Sequence, residues 1–329
     1  MFTHCKHCKK FNEQTNPCLS KMAASKELIS MTEEEWVSLV KHSSPSTDDL
    51  KDWEAHFERI ARVVLLECVL AVNGRFFGIN EIEFYYHGDL HLDVFTHQHP
   101  LQRRCGKWYF HSMGSSYKGG TYKGLDLTCA LPGSSHAGGM LLRGMIEEKM
   151  PGRPTKDAEV QGSCKLVDAI LAACEAASVA ELVEGQMRSE LSAFSSASPL
   201  HLERLTVPRK EQMFQSARVG LFLKKKDVPM ELQHRFVALP YRFVTRPLTI
   251  AKGRGVLAGG ILLSSAGPLP KFVRATPALL SKYTAAYHEA LRIKKDPAAR
   301  ARALKEMENR TLNETEAMVL YILLSQSGK

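Results

Sequence analysis

Gly78-Ile-Asn-Glu-Ile-Glu-Phe-Tyr-Tyr-His-Gly88 is the stretch on which the reading of this chain turns. In an extended strand the side chains alternate, so Glu81, Glu83 and Tyr85 share one face while Ile82, Phe84 and Tyr86 share the other. Such a pattern suits a half-buried edge strand with a solvated acidic face. It also suits an enzyme, because an acid beside an aromatic ring, backed by an apolar face, can hold a flat substrate next to a general base. Upstream, Leu65 to Val72 reads as a strand, and Asn73-Gly74 is a hairpin turn into Arg75 to Phe84. Downstream the pattern runs through Asp93-Val-Phe-Thr-His97 to Gly139-Met-Leu-Leu-Arg143.

Farther out, helices are expected on both sides. Thr32-Glu-Glu-Glu35 is a capping-box pattern followed by Trp36, Leu39 and Val40 at helical spacing. After the break Ser43-Ser-Pro-Ser-Thr47, Asp48 or Asp49 can cap a second helix with Trp53, Phe57, Ile60, Ala61 and Val64 on its apolar face. Gly119-Gly120 and Gly138-Gly139 suit turns or close backbone approach. Gly162-Ser163 precedes a helix striped by Leu166, Val167, Ile170, Leu171 and Cys174. Ser189 to Ser198 reads as an exposed loop, Ala217 to Leu223 as a short strand, and residues 276 to 325 as two helices broken at Asp296-Pro297.

The chain has 329 residues, is 44% hydrophobic and carries a formal charge of +9. It can bury a sizeable core, and its charge fits a polyanionic partner such as nucleic acid. The eight cysteines are scattered, no charged-then-apolar leader opens the chain, and the apolar run Ala317 to Leu324 is too short to span a bilayer. These features point to a reducing, intracellular compartment, nucleus or cytoplasm, and to no membrane partner. His4-Cys5-Lys-His7-Cys8 with Cys18 has zinc-like spacing but lacks a second ligand pair, so residues 1–30 read as a flexible Cys/Lys-rich segment. Lys252-Gly-Arg-Gly255 lacks the Lys-Ser/Thr pair of a phosphate-binding loop and reads as a plain loop.

The order of these features resembles one family, the alkyladenine (3-methyladenine) DNA glycosylases. The family pattern "A-R-x-L-L-G-x-V-L-V", a turn, then "G-R-I-V-E-T-E-A-Y-x-G" is similar to Ala61-Arg-Val-Val-Leu-Leu-Glu-Cys-Val-Leu70, Asn73-Gly-Arg75 and Ile79-Asn-Glu-Ile-Glu-Phe-Tyr85. Its "D-x-A-x-H" is similar to Asp93-Val-Phe-Thr-His97, its "V-L-I-R" to Met140-Leu-Leu-Arg143, and its "G-P-x-K-L" to Gly162-Ser-Cys-Lys-Leu166. Its closing "P-R-I-G … P-x-R-F" is similar to Ala217-Arg-Val-Gly220 and Pro240-Tyr-Arg-Phe243. The resemblance spans roughly residues 57 to 245 and departs from the family between Trp108 and Thr128, where the rings are kept in number but not in register.

The resemblance implies an α+β fold, one domain with an antiparallel β core and surrounding helices (31–255), with N- and C-terminal helical additions, the latter over 256–329. It implies a monofunctional, cofactor-free and metal-independent glycosylase that flips a modified purine, alkylated or deaminated, out of double-stranded DNA and acts as a monomer. Glu83 matches the family's catalytic glutamate, facing a ring-lined hollow that receives the base, and Arg143 matches the arginine that positions the attacking water. Tyr85, His97, Tyr109 and Thr128 take the base-binding positions, with Asp126 the alternative to Thr128, and Tyr122 becomes the wedge that fills the vacated stack. Lys118, Lys123, Arg153, Lys156, Lys165 and Arg218 are the candidates for phosphate contacts; Lys224 to Lys226 reads as a solvated turn. Two other readings stand beside this one. The fold can serve as a non-catalytic nucleic-acid-binding module, or the His/Asp cluster of residues 87–99 (His87, Asp89, His91, Asp93, His97, His99) can hold a metal for a metal-dependent hydrolase.

Overall fold

The computed structural model describes residues 28–325, without the side chains of residues 150 and 153–158. The N-terminal segment ahead of residue 28, with His4, Cys5, His7, Cys8 and Cys18, lies outside the described residues. The strands are β1 (Leu28–Ser30), β2 (Cys68–Val72), β3 (Arg75–Gly88), β4 (His91–Leu92), β5 (Cys105–Phe110), β6 (Ser112–Met113), β7 (Ser116–Tyr117), β8 (Leu125–Cys129), β9 (Ala137–Met150), β10 (Arg153–Gln161), β11 (Leu200–Leu205), β12 (Phe214–Ser216) and β13 (Arg242–Val244). The helices are α1 (Glu33–Ser43), α2 (Leu50–Arg62), α3 (Ser163–Ala173), α4 (Met230–Val237), α5 (Arg254–Ser264), α6 (Pro277–Lys294), α7 (Pro297–Met307) and α8 (Glu314–Leu324). The fold is mixed α+β, built on a large antiparallel sheet with the path β1-β11-β2-β3-β9-β8-β5.

β3 lies at the centre of this sheet. β9 pairs along one side of it; on the other side β2 pairs its first residues and β13 pairs Glu81, Ile82 and Glu83. An edge strand with a solvated acidic face is therefore ruled out. The alternation itself holds. Ile82, Phe84 and Tyr86 join Met140, Leu142, Leu127, Trp108 and Phe110 in the main core, under Trp36 of α1 and Phe57 and Ile60 of α2. Phe57 stacks on Phe84 at 4.7 Å. At full burial each such side chain contributes about 1.5–3 kcal/mol.

The two N-terminal helices start where their caps require. Thr32 makes both bonds of a capping box with Glu35, and the Asp49 side chain accepts from the Lys51 N–H. The second helix runs on, as a π-turn over Val63–Glu67, into what sequence reads as strand; β2 begins only at Cys68. Val64, Leu65 and Leu66 are all buried, so their run carries no periodicity by which helix and strand could be told apart. Asn73 and Gly74 both have positive φ and form the expected hairpin turn.

Two expectations fail farther along. Residues 217–223 form no strand; β12 ends at Ser216, and the chain crosses the Glu83 face of β3 as an irregular strip. Residues 276–325 hold three helices rather than two, because Asn309 turns left-handed at the end of α7 and Asn313 caps α8. The break between domain and extension set at residues 255 and 256 falls inside α5. Val256 belongs to the main core, and Leu257, Ala258 and Ile261 pack with Val244 of β13, Tyr283 of α6 and Met318 and Ile322 of α8 in a second core. Leu320, Tyr321 and Leu323 of α8 belong to the main core, so the extension is joined to the sheet by shared packing.

Candidate active site

On the face of β3 opposite the main core lies a buried layer of charge. Arg143 on β9 donates through Nε to Glu81 Oε1 at 2.8 Å and lies 3.3 Å from Glu83 Oε1. Arg242 on β13 donates its own Nε to the same Glu81 oxygen at 2.9 Å. Burial pushes the Glu81 carboxyl up, but Arg242 and Arg143 outweigh it and hold the pKa below the ordinary value. Burial works against the charge on Arg143 too, and Glu83 and Glu81 reverse the effect. A third pair, Arg218 with Asp93, is fully buried, and Arg218 also donates to the Phe84 and Phe236 carbonyls. Charges this far from water persist only when paired and hydrogen-bonded.

Glu83 is held from three sides. The Tyr85 hydroxyl donates to Oε2 at 2.9 Å, the Val219 N–H donates to Oε1 at 2.7 Å, and Arg143 closes the third. The irregular path of residues 217–223 thus has a physical reason: the Val219 amide serves the carboxylate instead of a β ladder. Glu83 has no solvent-exposed surface, so the expectation that it faces a ring-lined hollow fails: the carboxylate is walled in by packing, with Tyr85, itself half-buried, against it. Burial, with the Glu83 charge, drives the Tyr85 phenol well above its ordinary pKa, so it stays a donor. The Arg218 guanidinium sits 4.6 Å over the Tyr85 ring and occupies one of its two faces.

A row of paired residues leads from this carboxylate to a second cluster. Glu83 pairs with Leu141, Leu141 with Asp126, and Asp126 with Tyr109 across β3, β9, β8 and β5. Paired residues point the same way, and strands stand about 4.8 Å apart, so Asp126 lies about 10 Å from Glu83 on the same face. Around Tyr109 the loop of residues 95–104 supplies histidines. His99 stacks on Tyr109 at 4.7 Å, and His97 stands edge-on to Tyr109 at 6.3 Å and to His111 at 4.6 Å. Asp126 binds His111 Nε2 through Oδ1 and accepts from Gln102 through Oδ2, both at 2.8 Å. Gly139 makes this possible, since a Cβ there would lie 2.5 Å from Asp126 Oδ2 and 2.6 Å from Gln102 Nε2. His97 reaches solvent, yet desolvation, together with the charges of His111, Lys118 and Lys225, lowers its pKa to about 4, which leaves the ring neutral near pH 7.

The structure brings together Glu83, Arg143 and Tyr85 at one end of this face and His97 and Tyr109 at the other, but Tyr109 is buried, with His99 stacked on its ring, so His97 is the exposed member of that pair. Thr128 does not join them as a free contact. It is fully buried, its hydroxyl accepts the Lys107 N–H at 2.8 Å, and Asp126 occupies the row instead. Tyr122 is 77% exposed, on the turn of residues 120–122, and the next residue, Lys123, pairs with Asp168 of α3. Met113, a residue that sequence reading passed over, is 79% exposed on the β6–β7 hairpin. Its neighbour Ser112 lies 3.3 Å from His99 Nε2, so the hairpin springs from the ring cluster itself.

The candidates for phosphate contact divide. Lys118 adjoins His97 and Lys165 is exposed on α3, whereas Arg218 is buried in its pair with Asp93 and offers nothing to a phosphate. The side chains of Arg153 and Lys156 lie outside the described residues. Lys225, in the run read as a solvated turn, donates to the Val94 carbonyl at 2.5 Å and adjoins His97. The histidine-rich stretch does not converge on a metal. His91 is buried between the Tyr86 carbonyl and the Tyr241 hydroxyl, both at 2.8 Å, and Asp93 is taken by Arg218. Among the described residues no three His, Cys, Asp or Glu side chains form a metal-binding group.

No family model matches the chain, and no solved structure matches it. Among the described residues no helix is long and apolar enough to cross a membrane. The chain is similar to "Uncharacterized protein L759" of Acanthamoeba polyphaga mimivirus, with 28% identity over 217 residues, covering 62% of this chain and 92% of that protein.

Proposed function

We propose that the chain is a monofunctional DNA glycosylase of the alkyladenine type, hydrolysing the bond between a flipped, modified purine and its deoxyribose in double-stranded DNA. The observation that carries this reading is the row from Glu83 to Tyr109, with an acid, Arg143 and Tyr85 at one end and a cluster of rings at the other. The reading takes Glu83 as the base. Water attacks C1′ as the C1′–N bond breaks, the purine leaves with the electron pair, and the proton of water passes to Glu83. Arg143 holds the carboxylate, the neutral His97, exposed beside the buried Tyr109, bounds the base, and Lys118 and Lys225 meet phosphates at the rim. Met113, on a hairpin rooted in the ring cluster, replaces Tyr122 as the wedge for the vacated stack. Access to Glu83 requires the Tyr85 hydroxyl to leave Oε2, because nothing reaches the carboxylate otherwise. The protein acts in this reading as a monomer in the nucleus or cytoplasm.

The zero exposure of Glu83 favours a second reading, a non-catalytic module in which the carboxylate only ties residues 217–220 to the sheet. A base-release assay on duplexes carrying alkylated or deaminated purines separates the two. The glycosylase releases base with or without chelator, and Glu83→Gln keeps duplex binding while the rate falls on the order of 10²–10⁴-fold. Release from no member of the panel refutes the enzymatic reading.

A further inference from the structure

The C-terminal extension reaches the Glu83 layer by two routes that meet at one residue, Glu314, the first residue of α8. Glu314 Oε1 accepts the Gly253 N–H at 3.1 Å, and Oε2 accepts the Tyr283 hydroxyl of α6 at 2.8 Å. Gly253 is the left-handed residue ahead of α5, with φ 72°, and no side chain caps this helix. Its carbonyl accepts Arg242 Nη1 at 3.0 Å, the Lys252 carbonyl accepts Nη2 at 3.2 Å, and Arg242 carries the connection on to Glu81 and through Arg143 to Glu83. The second route is contact. A Cβ on Gly253 would stand 2.3 Å from Val219 Cγ2, so this backbone presses against the residue whose amide holds Glu83.

Behind that strip is space. A cavity of about 200 Å³ is lined by Val219 and Gly220 of the strip together with Gly253, Glu314 and Tyr321. The cavity leaves one side of residues 219 and 220 without packing, while Val219 and Leu221 pack against the main core and Arg218 is held by Asp93 and two carbonyls, so the bonds around Gly253 are what support the strip on the cavity side.

We infer that Glu314 is a positioning residue for the Glu83 site, bracing Gly253 and thereby both Arg242 and the Val219 amide. The inference rests on the proposed role of Glu83. It assigns the extension, which lies outside the family resemblance, to the working of the site. Glu314 touches no substrate; it sets where the carboxylate stands, and a misplacement of about 1 Å at a reacting group costs as much as 10²-fold in rate.

Two readouts on the full chain test it. The first is hydrogen exchange of the Val219 amide, which needs no activity. The second is the single-turnover rate of base release at saturating enzyme, measured beside the affinity for the same lesion duplex. Glu314→Ala speeds exchange of the Val219 amide and lowers the single-turnover rate on the order of ten-fold, with affinity unchanged. Tyr283→Phe, a milder change should the alanine variant fail to fold, shifts both in the same direction. Glu314→Gln keeps an oxygen for Gly253 and recovers part of the lost rate. Exchange at Val219 unchanged in Glu314→Ala and Tyr283→Phe overturns the brace, whatever the activity. Faster exchange with no base release by the unaltered protein overturns instead the catalytic reading of Glu83.

Discussion

Replacing Asp93 with alanine tests the charged layer most directly, because its pair with Arg218 has no exposed side-chain surface on either partner. Asp93→Ala leaves a guanidinium in the interior whose remaining partners are the Phe84 and Phe236 carbonyls and the rings of Tyr85, Phe95 and Tyr241. Neutral carbonyls and ring faces do not replace a carboxylate in such a place. Removing one partner of a buried pair costs about 3–5 kcal/mol, a large part of the roughly 5–15 kcal/mol that holds a domain together. Arg218→Met removes the charge but strands two buried carbonyls as well as Asp93, each carbonyl costing about 1–3 kcal/mol. Asp93→Ala combined with Arg218→Met leaves no unpaired charge and should lose clearly less than the sum of the single changes. The assay is urea unfolding followed by tryptophan fluorescence, with ΔG extrapolated for each variant. A loss below about 1 kcal/mol for Asp93→Ala, or additive losses in the double variant, refutes the claim that this pair is a buried, interdependent unit.

Acid should weaken the fold in a defined window. Burial lowers the pKa of His56 and of His91 to about 4 from an ordinary 6.5. The unfolded chain then binds protons between those values that the folded chain refuses, so stability rises with pH there and is lost on acidification, at most about 3 kcal/mol per histidine. Glu81, held below its ordinary value, adds to the loss at the acid end. Glu54, whose carboxyl burial raises to about 7, works in the opposite direction between its ordinary value and 7, so urea midpoints at pH 7.5 and pH 5 are compared in Glu54→Gln, and equal midpoints there contradict the histidine effect. Gly139→Ala drives a methyl into the Asp126–Gln102 bond and should cost about 1–3 kcal/mol by overpacking, read from thermal melts; an unchanged midpoint would mean that the bond is dispensable. Met113→Ala should weaken binding to lesion duplex while Tyr122→Ala changes it less, as titrations with a labelled duplex can show; the reverse order would return the wedge role to Tyr122.

Much of the fold was legible because local chemistry and long-range packing agreed. Thr32 with Glu35, Asp49, and Asn73-Gly74 each do what their side chains or backbone require, and alternation along β3 sorted its two faces correctly. Where the reading failed, the deciding term was not local. The run from Val64 to Leu66 is apolar in either conformation and became a π-turn through packing. Residues 217–223 have strand composition, but a carboxylate on another element recruits the Val219 amide. The site was half legible. Glu83 and Tyr85 share a face by alternation and Arg143 came from the family resemblance, and the three meet. Asp126 rather than Thr128 on the row is a matter of register between β8 and β9, where Asp126 faces Leu141 and Thr128 faces Gly139, and no sequence pattern announces that register. Arg218 was read as a phosphate contact because its charge is visible in sequence and its partner Asp93, 125 positions away, is not.

The balance of formal charge in the layer is itself an argument about what the layer is for. Glu81, Glu83 and Asp93 stand against Arg143, Arg218 and Arg242, three on each side, all with little or no exposure. Apolar residues of similar volume commonly give equal or greater stability than buried ion pairs, so stability alone does not account for six ionisable groups packed onto one face. What the pairs supply is fixed geometry. Each guanidinium bonds to more than one partner, and together they tie β3, β9, β13, the strip of residues 217–220 and the start of α5 into a single register. A carboxylate held in such a frame keeps its orientation when its neighbour moves, and Tyr85 is the one neighbour whose bond to Glu83 comes from a half-buried side chain. Tyr85→Phe therefore separates frame from gate. If the layer serves only the fold, losing that hydroxyl costs about 1.5–3 kcal/mol, the worth of a hydrogen bond to a charged group, and nothing else. If it serves the proposed chemistry, the frame of Arg143 and Val219 persists, Glu83 loses the bond on Oε2, and the rate of base release changes in addition to that loss of stability. A rate unaltered in Tyr85→Phe would show that the hydroxyl is not what closes the site.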